Sequence, residues 1–141
     1  MSIPSQNSAE ISHVLGVDFG QAKIGLALAD METKIAFAHK TLENKANIFQ
    51  KLSEIVQNKK VEKIIVGMPI HKASDDTAKT VREFIHKLKE EIKIPVELQN
   101  EMFTTKMAEE NLKESGAKKI KNFDDQEAAR IILQSWLEEN Y

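Results

Sequence analysis

The stretch HVLGVDFGQAKIGLALAD, residues 13–30, decides the fold. Residues 13–19 are apolar and rich in valine, which predicts a buried strand. Residues 20–22 make a tight turn. Residues 24–29 form a second apolar run, close enough to be the hairpin partner of the first. The first run closes on one carboxylate, Asp18, just ahead of Gly20. An acid at the end of an apolar strand has three readings: a metal ligand, part of a phosphate site at the glycine turn, or a turn former holding only its own loop. The pattern alone leaves all three open.

Working outward, residues 33–41 read as a third strand, with Met31 and Glu32 in the turn before it. Residues 44–58 read as a helix, because Ile48, Leu52, Ile55 and Val56 recur every three to four positions. VEKIIVGM, residues 61–68, has a continuous apolar centre, as expected of a strand buried on both faces, and Pro69 ends it. A polar loop covers residues 70–76. Residues 77–92 predict a helix with Val81, Phe84, Ile85, Leu88 and Ile92 on one face. Pro95 opens a strand that runs to residue 100. A helix follows over residues 104–115, closed by Gly116 as its C′ residue. Asp124 is placed to cap a last helix, with Glu127 completing a capping box. The inner face of that helix holds Ala128, Ala129, Ile132 and Trp136.

The order β-β-β-α-β-α-β-α-α gives an α/β class. Three antiparallel strands followed by βαβ units imply a mixed five-stranded sheet with helices on both faces. Ligands in such sheets sit near the carboxyl ends of the parallel strands. A chain of 141 residues is close to one ordinary domain. Residues 1–12 are expected to be a flexible polar tail, and residues 13–141 the single domain.

Composition narrows the function classes. Apolar residues make up 41% of the chain and charged residues 30%, which suits a globular protein rather than a disordered one. Absence of cysteine excludes disulfides and thiolate metal sites and fits the cytoplasm. No apolar run approaches a membrane span, and the N-terminal residues do not read as a signal peptide. A net charge of −2 supplies no general pull on nucleic acid, so any such contact needs local basic patches. Arginine is scarce, with only Arg82 and Arg130 against many lysines.

Three carboxylates stand at element ends. Asp18 ends the first strand, Glu101 lies just past the fifth, and Asp125 falls in the first turn of the last helix on the face of its packing residues. Converging acids repel one another unless a cation is present. Hard oxygen ligands suit Mg²⁺ or Mn²⁺, and such ions can clamp a phosphodiester during in-line attack by water. Taken singly, Glu101 also reads as a solvated loop residue and Asp125 as a helix-dipole partner.

Four motifs resemble one family. VLGVDFGQAKIGLALAD resembles the opening of the YqgF family, also called the RuvX or Holliday-junction-resolvase-like family. IIVGMP resembles its strand ending in G-x-P. NEMFTT resembles its D-E-R-[LFY]-[ST]-T block, and DDQEAARIILQSWLEE its final helix. The resemblance spans about residues 14–139. It implies an RNase H-like fold and a metal-dependent nuclease on structured nucleic acid, either precursor 16S rRNA or a Holliday-junction-like substrate. It implies Asp18, Glu101 and Asp125 as catalytic, metal-holding residues for Mg²⁺ or Mn²⁺, with the attacking water activated by the ion. The chain departs from the pattern at Lys23 and Met102, each in place of Arg, and at Asn100 in place of Asp.

Around these acids, Gly20, Gly25, Thr104 and Thr105 are expected to shape the site. Lys23, Lys72, Arg82, Lys118, Lys119 and Lys121 are candidates for a nucleic-acid backbone, with structured RNA or branched DNA as the partner of a monomer or homodimer. Solvated faces and lysine-rich turns account for several of these residues equally well. The four histidines show no ligand spacing. Two other classes stand beside the nuclease. One is a nucleic-acid-binding or regulatory protein without catalysis on the same fold. The other is a sugar-kinase-like phosphotransferase, which normally needs two domains and two such glycine turns.

Overall fold

The computed structural model describes residues 11–68, 75–100 and 124–141. The strands are β1 (His13–Asp18), β2 (Lys23–Asp30), β3 (Ala36–Glu43), β4 (Val61–Met68) and β5 (Val96–Asn100). The helices are α1 (Ile48–Asn58), α2 (Asp75–Glu91) and α3 (Asp125–Asn140). The strands form one sheet in the order β3-β2-β1-β4-β5. β1 pairs antiparallel with β2 and parallel with β4; β4 pairs parallel with β5. This is the mixed five-stranded sheet expected from the sequence, with helices on both faces. The predicted helix over residues 104–115, residues 70–74 of the predicted 70–76 loop and most of the N-terminal tail lie outside the described residues, while residues 75 and 76 of that loop belong to α2.

Alternation along the strands sorts side chains by size. On one face Leu15, Val17, Ile24, Leu26, Ile64 and Val66 pack against Ile48, Leu52 and Ile55 of α1 and Val81, Phe84 and Leu88 of α2. On the other face Val14, Ala27, Ala29, Ala36 and Ile65 pack against Ala129, Ile132, Leu133, Trp136 and Leu137 of α3. On this face Gly16, Gly25, Ala27, Ala29 and Ala36 are small, which lets α3 lie close to the strands beside Val14 and Ile65. A Cβ added to Gly16 would stand 2.7 Å from the Leu133 Cβ and 2.9 Å from the Ala129 carbonyl oxygen.

α3 is held by its ends as well as its packed face. Asp124 accepts a hydrogen bond from the Glu127 backbone N–H at 2.8 Å, the expected N-cap. The Glu127 carboxylate is turned to Arg130, whose Nε donates to both of its oxygens at 2.9 Å. Further along, the Trp136 indole donates to Glu97 of β5 at 2.9 Å, and Lys63 of β4 donates to the same carboxylate at 2.7 Å. The Lys63 and Trp136 bonds hold the Glu97 carboxyl below the usual range for glutamate. Gln99 of β5 reaches Glu139 at 3.2 Å.

Two element starts lie three or four residues later than expected, for local reasons. Asp30 accepts from the Glu32 and Thr33 backbone N–H groups and from the Thr33 hydroxyl, which lengthens the turn and starts β3 at Ala36. Lys34 completes that turn with a positive φ of 58°. α1 begins at Ile48 rather than residue 44, because Asn44 is tied to the turn after β1.

Candidate metal centre

β1, β4 and β5 run in the same direction, so Asp18, Met68 and Asn100 end at one edge of the sheet. Asp18 pairs in register with Gly25 of β2. Paired residues across an antiparallel ladder share a face, so Asp18 lies on the Gly16 and Gly25 side, under α3. Gly25 is where α3 touches down. A Cβ at Gly25 would overlap the backbone carbonyl of Asp125 and stand 2.7 Å from the Asp125 Cβ. Only glycine leaves room for the first turn of α3 at this point. The cross-strand spacing and this contact together put the Asp18 and Asp125 Cβ atoms within about 8 Å of each other. Both residues are half-buried.

An aspartate reaches about 4 Å from its Cβ to an ion bound near 2 Å from a carboxylate oxygen. The two acids therefore fit a shared hard cation. The positive end of the α3 dipole also lies here and offsets part of their repulsion. Among the described residues no group of three His, Asp or Glu side chains stands close enough to hold a metal by itself. Glu101, the third acid of the expected set, lies outside the described residues, one position past the end of β5.

The turn between β1 and β2 is braced from β3. Asn44 donates from Nδ2 to the Gly20 carbonyl at 2.9 Å, and its backbone N–H donates to the Ala22 carbonyl at 2.9 Å. A Cβ at Gly20 would overlap the Lys23 carbonyl. Sequence reasoning missed Asn44. Its only signal was an amide residue at a strand end, which is common in any turn.

The candidate cationic residues separate. Lys23 opens β2 beside this turn, exposed and in register with Glu43. The Lys45 ammonium, 3.0 Å away, holds the Glu43 carboxyl below its usual range, with Lys51 and Lys23 adding to the effect. Arg82 is exposed on α2, in a shallow groove with Lys79, Glu83 and His86, on the sheet face opposite α3. Lys72, Lys118, Lys119, Lys121, Thr104 and Thr105 lie outside the described residues. Trp136 is buried against the sheet, as expected of a packing residue.

Known proteins resemble this chain in sequence and fold. The profile of the RuvX family, described as Holliday junction resolvase, matches residues 12–139. A protein of Maridesulfovibrio salexigens named "Putative pre-16S rRNA nuclease" is 39% identical, covering 88% of this chain and 96% of its own length. A protein of the same name from Rickettsia africae is 35% identical, covering 89% of this chain and 85% of its own length. Thermus thermophilus RuvC, solved with a Holliday junction substrate, superposes with a TM-score of 0.59 at 16% identity, covering 91% of this chain and 95% of that one. That likeness shows the RNase H-like fold. With the family profile spanning nearly the whole chain and relatives above 30% identity over most of its length, this chain belongs to the RuvX family of nucleases.

Proposed function

We propose that this chain is a metal-dependent endonuclease of structured nucleic acid, acting on the 5′ end of precursor 16S rRNA in the cytoplasm. Residues 13–141 form its single nuclease domain. The observation that carries the reading is the Asp18–Gly25 register pair seated directly beneath Asp125. It joins two acids far apart in sequence at the edge of the sheet where such folds bind ligands. The names of the two relatives support the rRNA substrate. The likeness to a RuvC bound to a Holliday junction supports a branched substrate as the second choice.

Asp18 and Asp125 hold Mg²⁺ or Mn²⁺, with Glu101 completing the set. The bound ion supplies an activated water and charge neutralisation on the phosphate. The chain's own residues do the placing. Gly25 lets the Asp125 backbone reach the sheet, and the Asp124 cap fixes the first turn of α3. Asn44 holds the Gly20 turn beside Asp18. Lys23, on the rim of that turn, meets a substrate phosphate.

Cleavage of a precursor rRNA 5′-end fragment with Mn²⁺ tests the reading. Asp18→Asn and Asp125→Asn should each lower the rate at least about a hundredfold, since several kcal/mol of transition-state stabilisation depend on the ion. Wild-type rates in both variants overturn it.

A further inference from the structure

A second feature stands at the same end of the sheet, on the face opposite α3. Phe19, next after Asp18, turns to the α1 and α2 side and is buried there. Its ring meets Phe84 of α2 at 4.8 Å between centroids, and Phe84 meets Phe49 of α1 at 5.5 Å. Above these rings a 350 Å³ cleft opens between α2 and the segment joining β3 to α1. That volume lies in the range of small-molecule pockets and exceeds what one nucleobase needs. Phe19 and Phe84 are buried, whereas Phe49 is only partly so, which makes it the ring within reach of a ligand.

The rim of the cleft is charged. Lys45 and Lys87 stand on it with Glu83, and Lys23 and Lys51 lie nearby around Glu43. The Lys87 ammonium sits 5.4 Å from the Phe49 centroid. Lys45 is ion-paired with Glu43, but both side chains are about two-thirds exposed. Such a pair is weak and exchanges readily for a phosphate. Asn44, which also lines the cleft, bonds the Gly20 carbonyl, so one wall of the cleft is tied to the turn beside Asp18.

We propose that this cleft takes an unpaired nucleotide of the substrate strand, its base stacked on Phe49 and its flanking phosphates on Lys45 and Lys87. The inference rests on the nuclease reading for its substrate. The shape and charge of the cleft are independent of the acids. Two lysines against one glutamate on the cleft, with Lys23 and Lys51 near Glu43 beside it, complement a polyanion, and an accessible aromatic face suits any base. Stacking of a base outweighs an exposed cation–π contact, so Lys87 leaves the ring and turns to the phosphate. Phe19, next to Asp18 in the chain, and Asn44, bonded to the Gly20 carbonyl, both line the cleft, so it adjoins the turn that follows Asp18. The cleft would select substrates with an unpaired nucleotide beside the cut.

The test is binding of a short fluorescein-labelled single-stranded RNA to the full chain in EDTA, which keeps cleavage out of the measurement. Phe49→Leu preserves an apolar side chain and should weaken binding about tenfold or more, with little change in Tm. Phe49→Trp should restore it. Lys45→Ala with Lys87→Ala should weaken binding and flatten its salt dependence. A 2-aminopurine probe should be quenched on the wild type and not on Phe49→Leu. Wild-type affinity and quenching in Phe49→Leu overturn the proposal, as does a wild type that does not bind the RNA. Binding through Phe49 without any Mn²⁺-dependent cleavage supports the cleft while overturning the nuclease reading. Cleavage unchanged by Phe49→Leu does the reverse.

Discussion

On the α1 and α2 side, β1 and β2 present Leu15, Val17, Ile24 and Leu26; on the α3 side the same two strands present Val14 at the far end and then Gly16, Gly25, Ala27 and Ala29. The large side chains fill the space under two helices and supply apolar burial. The small ones let a single helix settle onto the backbone of the sheet. In the RuvX fold of this chain the candidate metal centre belongs to the small-residue side. Where backbone meets backbone, the position of Asp125 is set by the strands themselves. Side chains that can rotate or repack have little say in it. A site that needs its acids held to a fraction of an ångström gains from that arrangement.

The comparison can be broken most severely on the large-residue side. Leu26 is fully buried there, and Leu26→Ala should cost about 2–5 kcal/mol in denaturant unfolding. The folded fraction should still bind Mn²⁺ with wild-type affinity by calorimetry. A parallel loss of Mn²⁺ affinity would show that the two faces are not independent.

Gly25→Ala should behave in the opposite way. Its added methyl overlaps the Asp125 carbonyl, so the start of α3 must move. The stability cost is that of overpacking, about 1–3 kcal/mol. Mn²⁺ affinity should fall about tenfold or more, as when a group that orients a metal ligand is lost. Wild-type affinity in Gly25→Ala would place the metal elsewhere.

Smaller changes refine the account of how α3 is held. Asp124→Ala removes the cap that accepts from the Glu127 N–H and should cost about 1 kcal/mol in thermal unfolding. Glu97→Gln weakens the bond from β5 to Trp136 and removes the ion pair with Lys63. Because folding lowers the Glu97 pKa, its contribution is present above the ordinary glutamate range and is lost as pH falls through the lowered value. The pair is partly exposed, so the effect near neutral pH should be roughly a few tenths of a kcal/mol. The Tm difference between wild type and Glu97→Gln should vanish on acidification.

Much of this was legible in the primary structure. The apolar run of β4, the period of α2 and the Asp124 cap of α3 are local signals, and each element stands close to where its residues point. The start of β3 was not legible, because it depends on which backbone groups the Asp30 carboxylate chooses to bind. The start of α1 was missed for a similar reason, since the Asn44 amide is committed to a turn twenty-four positions away.

The candidate site divides along the same line. The acids announced themselves by standing at element ends, and four motifs tied them to one family. The role of Gly25 did not announce itself. A glycine within an apolar strand reads equally as a bulge, a close strand contact or a weak point. Its partner is the backbone of a residue one hundred positions later.

By itself the sequence determined the elements, the alternation of large and small residues in β2, and the chemical character of Asp18, Glu101 and Asp125. All of these follow from side-chain size, charge and period, which are local properties of the chain. The tertiary structure alone decided that Asp125 rests on Gly25 opposite Asp18, and that Phe49 joins Phe84 and Phe19 beside a lysine rim. Those facts depend on which faces meet across the sheet. That choice is made by packing between distant segments, which no local period encodes.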